Sequence, residues 1–121
     1  MPYSILIIDD SAVIRRALRR LVASKPGWII CGEALDGKDG IQKAQQLKPD
    51  AIILDLSMPQ LGGMETARIL KRLMPTVPLI MFTNFAKDQF SKEVLWAGIR
   101  RVVSKSDSLE LVRVLEAAFT A

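Results

Sequence analysis

The chain predicts an α/β domain of three layers, a parallel five-stranded sheet with helices on both faces. Three observations predict it. Apolar runs of strand length alternate with segments of helical period along the whole sequence. The strand runs are apolar at nearly every position, as in a sheet buried on both sides. The connections are short, with no linker, repeat or low-complexity stretch. A length of 121 residues suits one domain, 1–121.

Each element has its own justification. Tyr3–Ile8 reads as the first strand and runs into Asp9-Asp10. Ala12–Ala23 is a helix, with Val13, Ile14, Ala17, Leu18, Leu21 and Val22 at helical spacing. Ser11 can cap it and Lys25-Pro26-Gly27 ends it. Trp28–Gly32 is the second strand. Asp36-Gly37 turns into a helix from about Lys38 to Leu47, stopped by Lys48-Pro49. Ala51–Leu54 is the third strand and ends at Asp55. Met64–Met74 is the third helix, stopped by Pro75. Leu79–Phe82 is the fourth strand. Asp88–Ala97 is the fourth helix, with Gly98 as its stop. Arg101–Val103 is a short fifth strand, and Ser108–Phe119 is the last helix, with Ser108 as candidate cap.

Composition excludes several function classes. The chain has no histidine, which removes the commonest general base and the commonest transition-metal ligand. All-oxygen ligation then favours magnesium, with manganese or calcium as substitutes. Cys31 is the sole cysteine, so no intrachain disulfide can form. Its apolar neighbours predict a buried, inert thiol. No apolar run approaches a membrane span, and Asp9 and Asp10 interrupt the one apolar run near the N-terminus. A cytoplasmic location is expected. The net charge of +4 is mild. Arg15, Arg16, Arg19 and Arg20 form its densest cluster and read as a solvated helix face. Direct nucleic-acid binding would want more basic residues with aromatics between them.

The strand ends carry the chemistry. In parallel sheets functional groups gather beyond the carboxyl ends of the strands. Those ends supply Asp9 and Asp10, Asp55, Thr83-Asn84 and Ser104-Lys105. Three carboxylates brought that close need a cation between them. Asp10 and Asp55 could share one hard cation, with Asp9 acting through a coordinated water. A backbone carbonyl just after Asp55, assigned to Ser57, would be a further ligand. Asp55 could keep one oxygen free as a nucleophile, since carboxylates form acyl phosphates. Lys105 and the metal would neutralise a transferring phosphoryl group, and Thr83 would donate to one of its oxygens. Taken singly, these residues have bland readings: Asp9 a helix-capping acid, Lys105 a solvated lysine, Thr83 a strand-end hydroxyl. Their convergence at one edge is what favours a site.

With these residues in view, the chain resembles a response-regulator receiver domain of two-component signalling over its whole length. The resemblance rests on Asp9-Asp10, on Asp55 with Met58-Pro59 and Gly63 downstream, on Thr83 and on Lys105. It implies a flavodoxin-like fold with strand order 2-1-3-4-5. It implies phosphorylation of Asp55 by a histidine kinase or phosphotransfer protein. Magnesium would be held by Asp9, Asp10 and Asp55, and Thr83 and Lys105 would contact the phosphoryl oxygens. Such a protein is not a turnover enzyme, but it catalyses its own phosphorylation and dephosphorylation. Four positions depart from the family pattern: Val102 where an aromatic is common, Asn84 where a small residue is usual, Ser106 where proline usually follows the lysine, and Gly62 where an acid is frequent. They bear on switching more than on phosphorylation. Lys105-Ser106-Asp107 is similar to receivers joined to helix-turn-helix domains, and Asp9–Arg15 to chemotaxis methylesterase receivers.

Three other functions compete. A receiver-like scaffold that is not phosphorylated would have no need of the costly acid cluster. A flavodoxin-like cofactor binder would want a glycine- and hydroxyl-rich loop where Asp9-Asp10 stand. A metal-dependent phosphatase would need an acid base beside Asp55, and Leu56-Ser57 offers none. For partners, Phe90, Val94 and Ala97 fall on one helix face, which predicts that Trp96 is at least partly exposed; the competing reading folds it back over its own helix. Trp96, with Arg100 and Arg101, is the candidate contact for a homodimer or an output domain. Trp28 and Trp96 are the candidate fluorescent reporters of metal binding.

Overall fold

Alternate residues of the central strands enter two separate cores, and this sets the architecture. Leu6, Ile8, Ile52, Leu54, Leu79 and Met81 face one core, which Ala44, Ala67 and Leu70 complete. Ile5, Ile7, Ile53, Ile80 and Phe82 face the other, with Leu18, Val22, Leu111, Val114 and Leu115. The period of two explains why these runs are apolar throughout: both faces are covered.

The computed structural model describes residues 2–56, 58, 61–84 and 97–120. In chain order the elements are β1 (Tyr3–Ile8), α1 (Ala12–Ala23), β2 (Trp28–Ala34), α2 (Gly37–Leu47), β3 (Ala51–Leu54), α3 (Gly63–Leu73), β4 (Leu79–Thr83), β5 (Ile99–Ser104) and α4 (Ser108–Thr120). The strands form one parallel sheet in the order β2-β1-β3-β4-β5, as expected. Helices α1 and α4 cover one face and α2 and α3 the other. Among the described residues the helices number four rather than the five expected. The expected helix over Asp88–Ala97, with Phe90, Val94 and Trp96, lies outside the described residues except for Ala97, which is fully buried. None of the described helices is long and apolar enough to cross a membrane.

Both outer strands are longer than their apolar runs. β2 continues through Glu33 and Ala34, and β5 begins at Ile99 and ends at Ser104. Each carries a register shift, between Ile5 and Leu6 on the partner of β2 and between Leu79 and Ile80 on the partner of β5. An inserted residue breaks the alternation, so the polar Glu33 and the exposed Arg100 and Arg101 obscured the strand ends. Edge position lets these charged side chains stay in a strand.

The helix ends follow their caps. Ser11 Oγ accepts from the Ile14 amide at 3.3 Å and Asp36 Oδ1 from the Asp39 amide at 2.8 Å. The last helix differs from expectation. Ser108 is its first helical residue, and the cap is Asp107, whose Oδ1 accepts from the Glu110 amide at 3.1 Å. A carboxylate there also meets the positive end of the helix dipole. Gly98 has φ +81°, the left-handed turn its role as a stop requires.

Cys31 is half-buried instead of enclosed. Burial pushes its thiol pKa up from the ordinary value, consistent with an inert group.

Candidate functional site

The sheet's last hydrogen bonds set the positions of the site residues. The Asp9 amide donates to the Ala34 carbonyl at 3.0 Å, the Asp55 amide to Ile8 at 2.9 Å and the Lys105 amide to Thr83 at 2.8 Å. Each of the three is the residue just beyond its own strand, held by a neighbouring strand's final carbonyl. Thr83 is the last residue of β4 and is buried. Asn84 beyond it is exposed.

The side chains of Asp9, Asp10, Asp55 and Lys105 lie together. Asp9 and Asp55 are buried, at 2% and 5% exposure, which is costly for carboxylates without a partner. Lys105 supplies one: its Nζ lies 3.1 Å from Asp9 Oδ2 and 3.2 Å from Asp55 Oδ1. Asp9 is held at every polar atom. Its Oδ1 accepts from the Ser11 amide at 2.9 Å, and its carbonyl accepts from Arg15 Nη1 at 2.8 Å. Asp10 is exposed. Asp9, Asp10 and Asp55 can each present a carboxylate oxygen, with all three oxygens within 4.8 Å of one another.

This donor set fits a divalent cation. Among the described residues, three carboxylates stand against one ammonium, an excess of negative charge in a shared space. The donors are hard oxygens, which suit magnesium, and the exposed Asp10 lies on the open side, where bound water could remain. Ser57, assigned a backbone ligand, lies outside the described residues.

Gly63 shows why the segment after Asp55 needs a glycine. Its amide donates to the Leu56 carbonyl at 2.9 Å, and a Cβ there would sit 2.2 Å from the Asp55 carbonyl oxygen. The start of α3 therefore rests directly on the Asp55 backbone. At Gly62 a Cβ would meet nothing within 4 Å, so that glycine is not a steric requirement.

Sequence patterning missed one participant. Arg15 belongs to the cluster read as a solvated face, yet its side chain is only 15% exposed. It lies between the Asp9 carbonyl and Glu33. The available signal was Glu33, a lone acid in an apolar strand that needs a cation opposite it.

The sequence profile of the response regulator receiver domain matches residues 5–116. The chain belongs to this family. It is a receiver domain of the two-component response regulators, with a CheY-like fold. Response regulator GacA of Pseudomonas viridiflava is 32% identical over 116 residues, covering 95% of this chain and 54% of that protein. Protein-glutamate methylesterase/protein-glutamine glutaminase 1 of Methanosarcina acetivorans is 40% identical over 106 residues, 85% of this chain and 30% of that protein. The receiver thus spans about half of one relative's length and less than a third of the other's. Among solved structures, the response regulator domain of Thermotoga maritima CheB superposes with a TM-score of 0.92 at 26% identity, covering 100% of this chain and 98% of that one. A LuxR-family response regulator from an Aurantimonas species gives 0.90 at 30% identity, covering 97% and 84%.

The departures from the family pattern also have places. Val102 pairs with Met81 across β4 and β5 and is buried among the apolar residues on that face. The Lys105–Ser106 peptide is trans, and Ser106 Oγ lies 2.8 Å from Ser104 Oγ.

Proposed function

We propose that this receiver domain accepts a phosphoryl group on Asp55 from a histidine kinase or phosphotransfer protein. The observation that carries the reading is the Lys105 ammonium bridging two buried carboxylates beside a third. An ionised Asp55 oxygen needs no base to attack phosphorus. A new P–O bond forms as the donor's P–N bond breaks, and the aspartyl phosphate remains. Lys105 would move from balancing Asp55 to balancing the new phosphoryl charge, and Thr83 would donate its hydroxyl to a phosphoryl oxygen. Asp10 and Asp55 would hold magnesium directly, Asp9 through a water, and Ser57 through its carbonyl. The ion would supply charge neutralisation for the transfer. Asp9 is already committed to Ser11 and Lys105, which supports the ranking of Asp10 above it as a ligand.

The remaining roles extend this reading. Residues 1–121 act as one signalling unit that catalyses its own phosphorylation and hydrolysis in the cytoplasm. A macromolecular donor is supported by exposed apolar residues around the site's edge: Val13 in the first turn of α1, Leu35 after β2 and Leu109 in the first turn of α4. Trp96, Arg100 and Arg101 would form the surface for a homodimer or an output domain.

Incubation with acetyl phosphate and Mg2+ should add one phosphate per chain by mass spectrometry. Asp55→Asn should abolish it. An Asp55→Asn protein that still takes up a full equivalent would refute the assignment.

A further inference from the structure

Arg15 is engaged more closely with the site than a helix-surface arginine needs to be. It lies in the first turn of α1, and its guanidinium bridges a backbone carbonyl and a side-chain carboxylate. Nη1 donates to the Asp9 carbonyl at 2.8 Å and Nε to Glu33 Oε1 at 3.2 Å. Glu33 is itself a junction. Its carboxylate accepts from Arg19 Nη1 at 2.7 and 2.6 Å, and its carbonyl accepts from Lys43 Nζ of α2. Glu33 stands beside Ile7 in the β1–β2 register, two residues before Asp9. Helices α1 and α2 and strand β2 are therefore braced against the peptide that joins Asp9 to Asp10.

We propose that Arg15 is a positioning residue for divalent-cation binding, acting by holding the Asp9–Asp10 peptide. The inference rests on the magnesium site described above. That peptide is the hinge on which the Asp10 side chain turns, and Asp10 itself is exposed. Asp9 is pinned through its carboxylate by Ser11 and Lys105. The carbonyl on its other side is pinned by Arg15. A guanidinium can serve two acceptors in a fixed fork, whereas an ammonium on a flexible stem cannot hold both in one geometry. The Glu33 carboxylate, shared with Arg19, offsets part of the Arg15 charge.

The electrostatic and positioning accounts predict opposite signs. If Arg15 acted only through its charge, its removal would strengthen cation binding. If it positions Asp10, its removal weakens binding although a positive charge is lost. Residues behind metal ligands commonly change affinity by ~10–100-fold. Mn2+ serves as the probe, with binding followed by electron paramagnetic resonance and folding by denaturant unfolding without metal. Arg15→Met should weaken Mn2+ binding about tenfold. Arg15→Lys, which can reach one acceptor at a time, should fall between it and the wild type. Arg19→Met, which loses contact with Glu33 alone, should leave affinity unchanged. Unchanged or tighter binding by Arg15→Met overturns the proposal. So does equal weakening by Arg15→Met and Arg19→Met, which would reduce the role to docking α1 on β2. If Arg15→Met does not fold, Arg15→Lys decides, and wild-type affinity there counts against the role. A wild type that binds no Mn2+, or an Asp10→Asn protein that binds it undiminished, would instead remove the metal site and the Arg15 role with it.

Discussion

The two ends of the sheet are built on opposite principles. At the carboxyl end, Asp9, Asp55 and Lys105 are charged groups out of solvent, and the like charges of Asp9, Asp10 and Asp55 crowd one space. At the amino end, an aromatic clasp ties the start of the chain to its last helix. The Tyr3 ring stacks on Phe119 at 4.2 Å and 3°, and Trp28 meets Phe119 edge-on at 5.3 Å. The Tyr3 hydroxyl donates to the Phe119 carbonyl at 3.0 Å, and Lys25 lies over Trp28 while pairing with Glu116. One end accepts instability in return for chemistry, and the other supplies apolar and aromatic contacts that offset it. The division also separates the reporters. Trp28 pairs with Tyr3 at the start of β1, roughly 20 Å from Asp9 by strand rise. At that distance Trp28 should report on the clasp more directly than on the carboxyl end.

The largest effect should come from removing the charge that holds the carboxyl end together. Lys105→Met leaves Asp9 and Asp55 buried beside each other without their cation. The metal-free protein should lose about 3 kcal/mol by urea unfolding. Saturating Mg2+ should return part of that loss, because it supplies the missing positive charge. Equal losses with and without Mg2+ would show that the carboxyl end is not held by charge balance.

At the amino end, Phe119→Ala removes the ring that both other aromatics contact. A loss of about 2 kcal/mol is expected, less than for a fully enclosed phenylalanine. Trp28 emission should shift to the red while phosphate incorporation from acetyl phosphate stays at one per chain. A fall in incorporation would mean that the two ends are coupled.

A smaller gain is available where α2 ends near the same pole. Lys48 caps that helix with φ 50°, a left-handed conformation that a side chain disfavours. Lys48→Gly should stabilise by about 0.5 kcal/mol in the same unfolding assay. No change would mean that the lysine side chain compensates for its backbone.

The smallest effect lies between the poles, at Cys31. Burial raises its pKa above the ordinary 9.0, so the folded chain keeps a proton that the unfolded chain releases. Its contribution is complete below that ordinary value and is lost as pH rises through the folded pKa. A Cys31→Ala protein should show a shallower decline of stability in alkaline solution. Identical slopes would place the thiol outside the linkage.

The residues that could be read directly were those whose roles are local. Asp55 ends an uninterrupted apolar strand, and the Asp9-Asp10 pair breaks another, so their position at a sheet edge followed from pattern alone. Arg15 and Glu33 could not be read this way. They stand 18 residues apart on different elements, and only the packing of α1 against β2 makes one the partner of the other. Asp107 displaced Ser108 as the cap because both are competent cap residues, and a backbone shift of one position chose between them.

By itself the sequence determined the alternation of strands and helices, the two buried faces and the set of acids, hydroxyl and lysine at the strand ends. Hydrophobic period and strand-end polarity are properties of neighbouring residues, and they survive without knowledge of the fold. Tertiary structure alone decided the register shifts that lengthened β2 and β5, the bridging of Asp9 and Asp55 by Lys105, the brace from Arg15 to the Asp9 carbonyl and the clasp of Tyr3 on Phe119. Tyr3 and Phe119 are 116 positions apart. Contacts of that separation depend on how whole elements dock, and no local pattern encodes the ångström-scale distances on which ion pairs and stacked rings depend.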